Sequence, residues 1–194
     1  MDDDLPARLQ ASLSQHQRRV RAEWDAQPSA VLVPLYAEAG AWHMLYTLRT
    51  ETVDVHRGQV SFPGGRIESP EESPEQAALR EAQEEIGVQP SDVRLLGRLD
   101  PLLTVTQFRI EPVVGSIGWP YPLKVNRHEV ALTFGVPLAW LMEPSNLEIQ
   151  ERELPGTGKP VPVYFFRPYH DQVIWGATAR ITVSLLDMLR PMSS

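Results

Sequence analysis

Apolar positions along this chain follow two rhythms, and the change between them marks out its elements. Over residues 5–24, Leu5, Leu9, Leu13 and Val20 recur at helical spacing, which predicts an amphipathic N-terminal helix. Beyond it the apolar residues gather in short runs bounded by turn-formers. Runs at 30–36 and 42–48 predict two strands joined at Ala39-Gly40. Further runs predict strands over 93–99, 110–117 and 130–136, the last leading into a short helix over 138–142. Residues 147–153 and 161–166 flank the turn-rich Pro155-Gly156-Thr157-Gly158 and predict a hairpin. Residues 178–189 predict a closing amphipathic helix. Strands interleaved with a few helices predict an α+β fold, a mixed sheet with helices on both faces.

One further helix has a different character. Ser73 as N-cap, Pro74 at the first position and Gln76 closing a capping box predict its start, and Gly87 predicts its stop. It contains Arg80-Glu81-Ala82-Gln83-Glu84-Glu85-Ile86-Gly87 and follows the pair Gly64-Gly65. At ~100° per residue, Glu81, Glu84 and Glu85 share one sector, while Leu79, Ala82 and Ile86 form another side, fit for burial. Arg80, four residues before Glu84, is placed to pair with it. Carboxylates crowded on one turn repel unless a cation gathers them. Their oxygens suit hard divalent ions such as magnesium, which binds through a few carboxylates together with substrate phosphates. An ordinary solvated acidic face is the alternative reading.

The segment 64–88 resembles the Nudix box, Gly-x5-Glu-x7-Arg-Glu-U-x-Glu-Glu-x-Gly-U, with U a bulky aliphatic. The Arg-Glu-x-x-Glu-Glu-x-Gly half is intact and Val88 fills the last aliphatic place, whereas Ala82 is small for its own. One extra residue separates Gly65 from Arg80. Glu71 therefore matches when counted from Gly65, and Glu72 when counted back from Arg80. The resemblance implies a single Nudix domain over 1–194, an α/β/α sandwich with a mixed central sheet, of which residues 1–26 are an N-terminal helical extension. It implies that Glu81, Glu84 and Glu85 ligate a divalent cation, Mg2+ with Mn2+ as a substitute, and that Arg80 orients them. It also implies that Gly64-Gly65 is a turn at which the backbone of Gly65 can approach the metal.

Bulk properties narrow the partners. A formal charge of −7 disfavours binding to nucleic acid, and an anionic small molecule would need bound cations or local arginines to offset that field. The absence of cysteine excludes disulfides and thiolate ligands. No apolar run approaches a membrane span, and Met1-Asp2-Asp3-Asp4 is acidic where a secretory leader is basic. Cytoplasmic residence is the expectation. Oligomeric state is not specified.

The flanks of the box speak to the substrate. Thr47-Leu48-Arg49-Thr50 and Gly58-Gln59-Val60-Ser61-Phe62-Pro63-Gly64-Gly65 resemble the signature of the coenzyme A pyrophosphatase subfamily, Leu-Leu-Thr-x-Arg-Ser/Ala-x3-Arg-x3-Gly-x3-Phe-Pro-Gly-Gly. Ile174-Trp175-Gly176-Ala177-Thr178-Ala179 is similar to a C-terminal segment common in the same subfamily. Tyr46 and Thr50 depart from the signature, and Asp54 stands where its second arginine belongs. A carboxylate cannot do an arginine's work on a phosphate.

This resemblance implies metal-dependent hydrolysis of the diphosphate of coenzyme A, or of its derivatives, to 3′,5′-ADP and 4′-phosphopantetheine. ADP-ribose or another nucleoside diphosphate derivative is the alternative substrate that Asp54 keeps open. A noncatalytic nucleotide-sensing module is the alternative of another class, and the intact glutamates weigh against it. Arg49 and Arg57, which flank the glycines, lead Lys124 and Arg127 as contacts for the substrate's phosphates, and Gln59 could add an amide contact. Phe62, Tyr121, Trp140 and Phe165 could line a slot for the pantetheine arm. The base that activates water is either a box glutamate or Glu129, beside His128 at the start of a strand. Glu68 could be a supporting partner of the cluster.

Overall fold

The computed structural model describes residues 4–20, 25–50, 58–153 and 160–190. Among these residues four α-helices, α1 (Leu5–Gln15), α2 (Pro74–Ile86), α3 (Leu138–Met142) and α4 (Gly176–Leu189), are interspersed with ten strands. The strands are β1 (Gln27–Glu38), β2 (Ala41–Arg49), β3 (Val60–Ser61), β4 (Gly64–Arg66) and β5 (Val93–Arg98), then β6 (Leu102–Leu103), β7 (Phe108–Ile117), β8 (Val130–Pro137), β9 (Leu147–Glu153) and β10 (Pro160–Phe166). The first eight form one mixed sheet, and β9 and β10 form a separate hairpin.

The sheet is built around a hairpin that opens. Ala39 and Gly40 both take positive φ, +48° and +81°, the turn geometry whose twist matches paired strands. Near that turn β1 and β2 pair antiparallel, Leu35–Glu38 against Ala41–Met44. Further along they diverge, and β3 and β4 enter the gap. Thr47 and Leu48 of β2 bond β3, while Ser29, Ala30 and Val31 of β1 bond β4. Phe62-Pro63-Gly64-Gly65 is thereby wedged inside the sheet. Strand β8 covers the other edge of β2, and β7 runs parallel to β1 on its far side. Strands β5 and β6 pair antiparallel with β7.

Alternation along β1 sends neighbouring side chains to opposite faces, and two cores result. Ala30 and Leu32 meet Ala77, Ala78 and Ala82 of α2 together with Val113. The alanines are small enough to let that helix lie close on the sheet. Val33 and Leu35 face the other way, into a larger core with Leu9 and Leu13 of α1, Tyr46, and Leu185 of α4. Helices on both faces of a mixed sheet make the expected α/β/α sandwich. Among the described residues no helix is long and apolar enough to cross a membrane.

The N-terminal helix is shorter than its apolar spacing predicts. It stops at Gln15, and Val20 is exposed. Distant polar partners take over from helical bonding there. His16 Nε2 lies 2.8 Å from Asp100 Oδ1, and the Arg19 amide donates to the same oxygen at 2.9 Å. Arg18 donates to the Leu99 carbonyl and pairs with the buried Glu111. Strands β3, β4 and β6, two or three residues each, were not predicted.

Candidate active site

Helix α2 starts and stops where its capping residues predict. The Gln76 amide donates to Ser73 Oγ at 3.2 Å, and the Ser73 amide donates to Gln76 Oε1 at 2.8 Å. Gly87 adopts φ +74° and its N–H returns to the Gln83 carbonyl, a left-handed stop that glycine adopts without steric cost. The next carbonyls are satisfied from a later loop. Asn126 N–H donates to Glu85 O at 2.8 Å and Lys124 N–H to Ile86 O at 2.9 Å. This docking brings Glu129 to the end of α2, where Asn126 Nδ2 donates to Glu129 Oε1 at 3.0 Å.

The three box glutamates do not share one environment. Glu84 is 57 % exposed, Glu81 15 % and Glu85 only 2 %. The expectation that all three stand away from the buried side is corrected for Glu85. Seven residues turn a helix through nearly two full circles, which places Glu85 about 20° from the buried Ala78. Glu85 thus continues the buried stripe at the end of the helix that points at β2. There Arg49 Nη1 lies 3.4 Å from Glu85 Oε1. Among the described residues, neither Glu85 Oε2 nor Arg49 Nε, both buried, has a hydrogen-bond partner. Burial pushes the Glu85 carboxyl up to about 8, with Arg49 opposing and the charges of Glu81 and Glu129 adding to the rise. Glu81 is also raised, chiefly by burial, against the pull of Arg80.

Arg80 is the hub of the loop before the helix. Its Nη1 lies 2.7 Å from Glu81 Oε1, its Nε 2.9 Å from Glu72 Oε1, and its Nη2 donates to the Arg66 carbonyl at 2.9 Å. Glu84, its predicted partner, is farther away at 3.6 Å. The hydrogen bond from Arg80 holds Glu72 below the usual carboxylate range. Glu72 Oε2 also accepts from the Glu68 amide at 2.7 Å. Glu72, not the exposed Glu71, therefore occupies the box position, and the extra residue is taken up between Gly65 and Glu72. Glu68 itself is exposed, its carboxylate 3.9 Å from Arg80.

The glycines act differently from the turn expected of them. Gly64 and Gly65 are strand residues of β4, and neither takes positive φ. What each needs is the absence of a β-carbon. One at Gly64 would collide with the Ala30 carbonyl, and one at Gly65 with the carboxylate of Glu81.

Of the predicted substrate contacts, Arg49 is brought to the glutamates. Gln59 lies across the wedge, its carbonyl accepting from the Arg49 amide at 3.0 Å. Arg57 and Asp54 lie outside the described residues. Arg127 is turned to the Ala131 carbonyl, and Lys124 packs at Gly87. The four aromatics form no common slot. Phe62 stacks on Tyr46 in the larger core, Trp140 packs on Phe166 and Tyr169, Tyr121 bonds Asp92, and Phe165 stacks on Trp175. Asn126, which orients Glu129, was not singled out from the sequence, whereas Glu72 was one of two matches to the box. The box count back from Arg80 was the one signal for Glu72, and Asn126 had none.

A buried carboxylate oxygen that has no hydrogen-bond partner among the described residues, beside two more carboxylates, is donor chemistry that suits a hard divalent cation. The missing side chain at Gly65 lets the Glu81 carboxylate lie against the backbone of β4. Among the described residues no three acidic or histidine side chains already converge on one point, because Arg80 holds Glu81 and Arg49 holds Glu85.

Comparison with known proteins places this geometry. Residues 26–154 match the NUDIX domain family. The chain is 35 % identical over 185 residues to the uncharacterized Nudix hydrolase NudL of Cronobacter sakazakii, covering 92 % of this chain and 93 % of that protein. The NudL of Salmonella paratyphi B is 35 % identical over 157 residues, covering 81 % and 80 %. In fold, the chain is similar to the Ap4A hydrolase of C. elegans, with a TM-score of 0.50 at 20 % identity over 57 % of this chain and 80 % of that one. The chain belongs to the Nudix family and is a Nudix hydrolase, an enzyme acting on diphosphate bonds.

Proposed function

We propose that this Nudix hydrolase acts in the cytoplasm on coenzyme A or its derivatives, cleaving the diphosphate to 3′,5′-ADP and 4′-phosphopantetheine. The observation that carries the reading is the meeting of Arg49 with Glu85 at 3.4 Å. Arg49 belongs to the stretch that resembles the coenzyme A signature and Glu85 to the Nudix box, so substrate recognition and catalysis would share one corner of the fold.

In this proposal Glu81, Glu84 and Glu85, with the backbone of Gly65 beside Glu81, would hold Mg2+ or Mn2+. Such an ion neutralises phosphate oxygens and lowers the pKa of water. Arg80 orients Glu81 through its fork, and Arg49, fixed by Glu85, presents its guanidinium to a phosphate, with Gln59 alongside. Glu129, oriented by Asn126, takes the proton of the attacking water. Arg57 is assigned to the 3′-phosphate on sequence grounds alone.

Turnover of coenzyme A, ADP-ribose and a nucleoside triphosphate with Mg2+ and with Mn2+ tests the assignment. Coenzyme A is expected to give the highest kcat/KM, with 3′,5′-ADP and 4′-phosphopantetheine as products. Faster cleavage of ADP-ribose would overturn it, and Asp54 is the departure that makes this the decisive comparison.

A further inference from the structure

The segment Ile174-Trp175-Gly176 has no part in the chemistry above, yet its backbone is fixed on both sides. Ile174 is fully buried and its carbonyl accepts from the Phe166 amide at 2.8 Å. Gly176 takes φ +62°, a conformation that favours glycine. Two residues on, Thr178 Oγ1 donates to the Val60 carbonyl at 2.9 Å. This rigid frame holds an indole that is 38 % exposed. Lone exposed apolar residues need no explanation, but Trp175 is not alone. The Phe165 ring lies 4° from parallel to it at 5.8 Å, and the Arg152 guanidinium sits 5.0 Å from the Phe165 centroid. Arg152, Phe165 and Trp175 make an ordered stack with the indole partly open to solvent.

The stack stands near the catalytic corner. Thr178 binds Val60, whose neighbour Gln59 accepts from the Arg49 amide, and Arg49 reaches Glu85. This run of contacts joins the frame that carries the indole to the corner where Arg49 meets Glu85.

We propose that Trp175, backed by Phe165 and Arg152, is the platform on which the adenine of the substrate's nucleotide half stacks. Bases stack on aromatic side chains through their π-faces, and an arginine beside the stack complements a phosphorylated adenosine. The neutral pantetheine arm offers neither a ring nor a charge. The inference rests on the coenzyme A reading for the identity of its ligand.

Calorimetric titration of the full-length enzyme with 3′,5′-ADP and separately with 4′-phosphopantetheine, in Mg2+ buffer, tests this without turnover. Trp175→Ala is expected to weaken 3′,5′-ADP about tenfold, Trp175→Phe to restore most of the loss, and 4′-phosphopantetheine to be unaffected. Unchanged 3′,5′-ADP affinity in Trp175→Ala, no binding of 3′,5′-ADP to the wild type, or a loss confined to 4′-phosphopantetheine would each overturn the platform. Thermal melting of both variants identifies any loss of fold, in which case Trp175→Phe alone decides: near-wild-type affinity supports stacking, and a tenfold loss contradicts it. If coenzyme A is not cleaved while Trp175→Ala still weakens 3′,5′-ADP, the substrate assignment fails and the platform stands.

Discussion

Arg49 Nη1 stands 3.4 Å from Glu85 Oε1, joining the end of β2 to the last turn of α2 across the wedge that holds Gly64-Gly65. The pair is unequal, since Glu85 is almost fully buried and Arg49 is 22 % exposed. Removing the arginine takes away the charge that opposes the desolvation of Glu85, which costs up to ~3–5 kcal/mol when both partners are buried and ionised and less here, where burial already favours the neutral carboxyl.

Arg49→Ala is therefore expected to lower both Tm and kcat/KM, the latter by about 100-fold. Arg49→Lys is expected to recover stability better than activity, because an ammonium lacks the planar fork that grips a phosphate. Steady-state kinetics and thermal melting on both variants check this. Full activity in Arg49→Lys would remove the phosphate contact.

Stability should depend on pH through Glu85. Its folded carboxyl is raised from the ordinary 4.5 to about 8, so the folded state holds that proton more tightly than the unfolded chain. The resulting stabilisation is complete below pH 4.5 and is lost as pH rises through 8. Glu81 is shifted in the same direction. In chelator-containing buffer, Tm is expected to fall from pH 5 to pH 8 more steeply in the wild type than in Glu85→Gln. Parallel profiles would refute a desolvated Glu85. The lowered Glu72 acts oppositely, its contribution vanishing only as pH falls below the carboxylate range.

Gly65→Ala tests the close approach of β4 to α2. The new methyl would displace the Glu81 carboxylate, the far end of a flexible side chain, so Tm is expected to change little while kcat falls about tenfold or more. Gly118→Ala is the control, since a β-carbon there has nothing within 4 Å. Equal activity in the two variants would dissociate Glu81 from catalysis.

Arg80→Lys keeps the charge and loses the fork that spans Glu72, Glu81 and the Arg66 carbonyl. We expect kcat to drop about tenfold with a smaller change in KM, because the box loop would no longer be held against the helix. Unaltered kcat would show that Glu81 needs no such support.

What could be read from the chain beforehand was whatever neighbours in sequence decide. Ser73, Pro74, Gln76 and Gly87 bound α2 because capping is a contact between residues a few places apart. The short helix at Leu138–Met142 and the hairpin of β9 and β10 are local in the same sense. Glu85 was misplaced because its burial is answered by Arg49, 36 residues earlier. The end of α1 depends on Asp100 and Glu111, which nothing near His16 announces. Strands β3 and β4 are too short to show a period, and the proline before β4 and the glycines within it read as a turn until the splayed β1 and β2 are seen to hold them.

The central claim is that Glu81, Glu84 and Glu85 gather on one divalent ion against which a phosphoanhydride is cleaved. Calorimetric titration of Mg2+ or Mn2+ into the wild type and Glu85→Gln, each with a non-cleavable coenzyme A analogue, tests it most directly. Metal uptake by the wild type that is abolished in Glu85→Gln is the predicted result. No uptake by the wild type, or equal uptake by both, would contradict the account.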